Sequence, residues 1–172
     1  MSHCIQAIVA PDSFAAAIHH AWPELPRLRH DLGFSIFPVD YDLIDAKITP
    51  VVTSRETGDE FMLLTPAFEN YLRQLSVGGL IAYVETEYFG GAGGQGALVF
   101  ADGLGRMNPE WDKSGTINRA LELIGVPRPM IGDRFALIGF ANIRDNEDIL
   151  ELIEAQDADN NAVNRSRRSR GF

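Results

Sequence analysis

The residues with most chemical potential lie in one run, Tyr83-Val84-Glu85-Thr86-Glu87-Tyr88-Phe89, followed by Gly90-Gly91-Ala92-Gly93-Gly94-Gln95-Gly96-Ala97. In a strand, alternate side chains share a face, so Tyr83, Glu85 and Glu87 point one way and Val84, Thr86 and Tyr88 the other. Paired carboxylates hold a hard cation when further oxygens complete the set, and Asp102 and Asp133 are the candidates here. They also serve as acid and base across a glycosidic bond, for which no supporting pattern exists in this chain. Two glutamates at i, i+2 on an exposed strand are more often simply solvated, and a metal site is argued only from a full ligand set. No metal ligand is assigned.

The glycines suggest a second chemistry, because Gly91-Ala92-Gly93-Gly94-Gln95-Gly96 fits G-x-G-x-x-G. That motif binds a pyrophosphate where the glycines open a helix whose first amides face the anion. Here Ala97-Leu98-Val99-Phe100-Ala101 reads as a strand, no Gly-Lys-Ser/Thr follows, and the preceding glutamates would repel an anion. The alternative use of the glycines is close approach of backbone to a partner. His3, His19, His20 and His30 show no zinc spacing, and no serine sits in G-x-S-x-G. Cys4 reads as a small buried hydrophobe, Trp22 as core, and Trp111 as a loop residue open to either a core or a contact role. No catalytic residue and no cofactor is assigned.

Net charge is −9, yet Arg165, Arg167, Arg168 and Arg170 supply four of the fifteen basic residues, and no acid follows Asn164. Residues 1–164 therefore hold 11 basic against 24 acidic groups, a net of −13. Such a body repels nucleic acid and anionic membrane and steers toward basic partners, although acidity also serves plain solubility. A single cysteine excludes a disulfide scaffold. Ile5–Ala10 is too short and too interrupted for a signal-peptide core, and no apolar run approaches the roughly 20 residues that span a bilayer. A cytoplasmic location is expected.

The elements that must position these residues follow from periodicity. His3–Ala10 and Phe34–Val39 read as strands, with a helix between them that Asp12 caps and that carries Phe14, Ala17, Ile18, Ala21 and Trp22 on one face. Asp40 caps a short helix with Leu43 and Ile44. Thr49–Thr53 reads as an edge strand. Thr65 caps and Pro66 opens a helix with Phe68, Tyr71, Leu72 and Leu75. Leu80–Tyr88 and Gly96–Ala101 form a hairpin across a glycine-rich loop, with a turn at Asp102-Gly103. Thr116–Ile124 is helical, Arg134–Phe140 reads as a strand, and Asn146–Ala155 is an acidic amphipathic helix.

The fold class is thus α/β (or α+β): a two-layer single domain with a mixed sheet, an antiparallel hairpin and four to five helices. The globular part spans 1–157, and 158–172 is expected to be a flexible polar and basic tail. The hairpin, together with a helix like Ile117-Asn118-Arg119-Ala120-Leu121 ending in Gly125-Val126, resembles one found in small uncharacterised bacterial proteins, loosely similar to immunity proteins of toxin systems. That resemblance covers roughly residues 80–140 and implies an inhibitor that binds a cognate, possibly basic and nuclease-like, toxin. The expected contact residues are Glu85, Glu87, Tyr88, Phe89, Gln95 and Asp102. The competing reading is a small enzyme or ligand-binding domain using the glycine loop with Glu85 and Glu87; a third is a subunit of a larger assembly.

Overall fold

The computed structural model describes residues 3–48, 60–90 and 92–169, so the expected edge strand at 49–53 lies outside the described residues. The chain runs through β1 (Gln6–Pro11), α1 (Asp12–Ala21), β2 (Leu28–His30), β3 (Phe34–Pro38), α2 (Tyr41–Lys47) and α3 (Pro66–Leu75). It continues through β4 (Leu80–Phe89), β5 (Ala92–Ala101), β6 (Leu104–Asp112), α4 (Thr116–Leu123), α5 (Arg134–Leu137) and α6 (Asn146–Ser169), with a 3-10 turn at Phe140–Asn142. One sheet takes the order β2-β3-β1-β4-β5-β6.

The α/β class holds, with two differences in arrangement. Every pairing between these strands is antiparallel, where a mixed sheet was expected. The chain alternates strand and helix, but β3 and β4 each pair with β1 rather than with one another, so their shared direction never makes a parallel ladder. Helices also cover both faces, which makes three layers rather than two. One face of the central strands (Ala7, Val9, Ala82, Val84, Ala97 and Val99) packs under α4, α5 and α6. The opposite face (Ile8, Ala10, Ile81, Tyr83, Leu98, Phe100) packs under α1, α2 and α3. Strands covered on both sides read as continuous apolar runs, as β1 and β4 do.

Local chemistry sets the helix ends. The Asp40 carboxylate accepts from the Leu43 N–H at 2.8 Å and the Thr65 hydroxyl from the Phe68 N–H at 3.1 Å, with Pro66 at the first helical position. Asp12 is not the cap of α1 but its first residue; its carboxylate instead accepts from Arg27 at 3.2 Å and from the buried Ser35 hydroxyl. Of the expected strand Arg134–Phe140, Arg134–Leu137 is instead the short helix α5 and Phe140 opens the 3-10 turn. The Asp133 carboxylate accepts from the Ala136 N–H at 2.8 Å, and Gly139, at φ +93°, ends the turn. Leu104–Asp112, whose last five residues were expected to be loop, forms the edge strand β6.

α6 runs on past residue 157 without a break, so the segment expected to be a flexible tail is helical as far as Ser169. Its side chains from Asp157 to Arg165 are all exposed, so the helix there is not held by packing. Acids at its start (Glu147, Asp148) complement the helix dipole instead. Among the described residues, Gln156 is the last of α6 whose side chain is hydrogen-bonded to the body. Its amide brackets Arg29 of β2, accepting from the N–H and donating to the carbonyl, each at 3.0 Å. This shields one edge of the sheet. The other edge, β6, carries Pro109 and two register shifts against β5, features that discourage edge-to-edge pairing.

Candidate functional site

The ten-residue strands β4 and β5 pair along their whole length, from Leu80 against Ala101 to Phe89 against Ala92. The glycine-rich stretch is therefore not a loop. Only residues 90 and 91 connect the strands, with Gly90 at φ +60°, and Gly93, Gly94 and Gly96 lie inside β5 opposite Tyr88, Glu87 and Glu85. Two of these glycines are required by rings from distant parts of the chain. A Cβ on Gly94 would stand 2.4 Å from Nε1 of Trp111, and one on Gly96 would stand 2.5 Å from both Phe61 and Trp111. The Phe61 and Trp111 rings meet edge to face, 5.4 Å between centroids, on the flat patch that the glycines leave.

Glu85 and Glu87 share a strand face, but only Glu87 is exposed. Glu85 is 0% exposed, which corrects its expected role as a contact residue. Its carboxylate accepts from the N–H groups of Met62 (2.6 Å), Leu63 (3.0 Å) and Leu64 (3.0 Å), and from the Tyr83 hydroxyl (2.7 Å). Three successive backbone donors on one acid make a nest that fastens segment 61–64 onto the sheet. Burial pushes the Glu85 carboxyl above the usual range, and the four donors pull it back only in part.

On the opposite face, Gln95 is buried and also serves structure. Its carbonyl oxygen accepts from the Ile117 N–H at 2.9 Å, where α4 begins, and its amide donates to the Tyr88 hydroxyl at 3.0 Å. Tyr88, half-buried, donates to the Lys113 carbonyl at 2.7 Å. Beside it, His3 bridges the Thr86 hydroxyl at 2.7 Å and the Phe140 carbonyl at 3.0 Å, while the backbones of His3 and Tyr88 pair. The end of the hairpin is thus braced on this face. Asp102 is exposed but sits at the other end, where it caps the Gly78 N–H at 3.0 Å. Nine strand steps put it about 30 Å from Phe89.

What the hairpin end presents outward is Phe89, 81% exposed, next to the exposed Glu87. On the Glu87 side the surface continues over Trp111 to a cleft of about 220 Å³ lined by Glu60, Phe61, Leu64, Thr65, Pro66, Glu69, Pro109 and Trp111. Sequence reasoning did not assign Phe61, Glu60, Glu69 or Trp111 to the site. The signal that was present is the alternation Met107, Pro109, Trp111 in a segment with strand character, masked by the turn-like Asn108-Pro109.

Cys4 is half-buried, with its sulfur 3.2 Å from the Gln6 amide nitrogen and 4.0 Å from Met62. Asp133 spends its carboxylate on α5 and on Asn118. Among the described residues no three His, Cys, Asp or Glu side chains are grouped so as to hold a metal ion, and no helix is long and apolar enough to cross a membrane. Comparison with protein-family models, with curated proteins and with solved structures finds no match.

Proposed function

We propose that the protein acts by binding another protein, as an immunity-type inhibitor of a basic, toxin-like partner. The observation that carries this reading is Phe89: a large aromatic, 81% exposed, at the end of a hairpin whose Tyr88–Gln95 face is fixed by hydrogen bonds. An exposed aromatic on a rigid support loses little side-chain freedom on binding, and aromatics of this kind dominate contact energies. Glu87 beside it and the net −13 of residues 1–164 supply charge of the sign that would attract a basic partner.

With Glu85 and Gln95 committed to structure and Asp102 distant, the contact set reduces to Glu87, Tyr88 and Phe89 plus the surface around Trp111. The test is co-expression with the polypeptide encoded by the adjacent gene. If that polypeptide arrests growth, wild-type protein restores growth and Phe89→Ala with Glu87→Lys does not, although the variant accumulates to the same level. Full protection by the double variant would refute this placement of the contact.

A further inference from the structure

The cleft beside Trp111 has the composition of a cation-binding site. Phe61, packed edge to face against Trp111, closes its floor, and Leu64, Pro66 and Pro109 complete apolar walls. Glu60 and Glu69 are among its lining residues, and among the described residues no basic side chain lines it. Arg73 pairs with Glu69. It stands 3.5 Å away in an exposed i, i+4 pair, with its guanidinium drawn over the Phe100 ring at 4.8 Å. Such a pair is weak, so it competes little for the carboxylate. A neutral apolar side chain would gain nothing from the two acids, and an anion would be repelled. A lysine or arginine instead lays its aliphatic stem on the ring and proline walls, with the charge at the carboxylates.

We infer that this cleft receives a lysine or arginine side chain presented by the partner protein. The inference rests on the protein-binding reading above and adds the chemistry that the partner brings. Its position on the same sheet face as Glu87, with Trp111 lying over Gly94 opposite Glu87, makes cleft and hairpin end one continuous surface.

The experiment uses the full chain labelled with 5-fluorotryptophan. The two tryptophans give two fluorine signals, assigned with Trp111→Phe. Titration with acetyl-Ala-Arg-Ala-amide should move the Trp111 signal saturably, with a dissociation constant on the order of millimolar, and leave that of the buried Trp22 in place. The citrulline counterpart, equal in shape but uncharged, should bind about tenfold more weakly, and Glu60→Gln with Glu69→Gln should weaken the arginine peptide about fivefold without moving the melting temperature. No shift, or equal shifts with the arginine and citrulline peptides, overturns the inference. Partner binding that is lost in Phe89→Ala but retained in Glu60→Gln with Glu69→Gln overturns the cleft while leaving the hairpin reading intact. A peptide response without any protein partner does the reverse.

Discussion

Replacing Glu85 should damage the fold in proportion to the donors left behind. In Glu85→Gln one amide oxygen can keep the position of Oε1, which accepts from Leu63, Leu64 and Tyr83, while the amide nitrogen faces the Met62 N–H in place of Oε2. One buried donor is then orphaned, which costs about 1–3 kcal/mol. Glu85→Ala orphans all four donors and leaves a void on the sheet. Removing one side of a buried charged network costs about 3–5 kcal/mol, and some relief comes if segment 61–64 lifts into water. Glu85→Lys places a cation among four donors and should not yield folded protein. Urea unfolding followed by circular dichroism measures this directly. With a slope of roughly 2 kcal/mol per molar, the glutamine variant should lose about 0.5–1.5 M of midpoint and the alanine variant about 1.5–2.5 M. If alanine and glutamine fall within about 0.5 kcal/mol of wild type, the nest does not hold the segment and this account of Glu85 is wrong.

The same carboxyl predicts a pH dependence. Because its folded pKa is raised, its contribution to stability is fully present below the unfolded pKa near 4.5 and is lost as pH rises through the folded value. Unfolding across pH 4–7 should therefore show the advantage of wild type over Glu85→Gln shrinking as pH rises; a widening gap contradicts it. Gly96→Val should destabilise by about 1–3 kcal/mol, since its Cβ alone falls 2.5 Å from two rings, and should alter Trp111 fluorescence. Phe89→Ala should change stability by no more than about 0.5 kcal/mol in thermal unfolding, as expected for an exposed side chain. A chain ending at Ala158 should melt within about 2 °C of the full protein while losing helical signal, because, among the described residues, Gln156 is the last of α6 whose side chain is hydrogen-bonded to the body.

Much of the scaffold was legible in the sequence because its signals are local. Thr65-Pro66 and Asp40 announce helix starts by their own side chains, and the apolar faces of α3 and α4 follow helical spacing. The apolar runs of β1, β3 and β4 mark buried strands. What was not legible depends on contacts between distant residues. Gly94 looks like a loop residue and Gly96 like the mere start of a strand until Phe61 and Trp111 are seen lying on them. Glu85 looks like a surface acid until the amides of residues 62–64, more than twenty positions away, close over it. The segment 134–140 is apolar enough for a strand, and the Asp133 cap ahead of it and Gly139 within it decide for helical turns. The extension of α6 draws on charge placement along the helix rather than on an apolar face, a pattern that also suits disorder.

The central claim is that the hairpin end, and not a buried pocket, is where this protein meets its partner. Isothermal titration against the polypeptide encoded by the adjacent gene tests it most directly, at low and at physiological salt, for wild type and for Phe89→Ala with Glu87→Lys. The account predicts binding that weakens as salt rises, and a loss of about 2–4 kcal/mol of affinity in the variant while its unfolding midpoint stays unchanged. Equal affinity for wild type and variant, at either salt concentration, would contradict it.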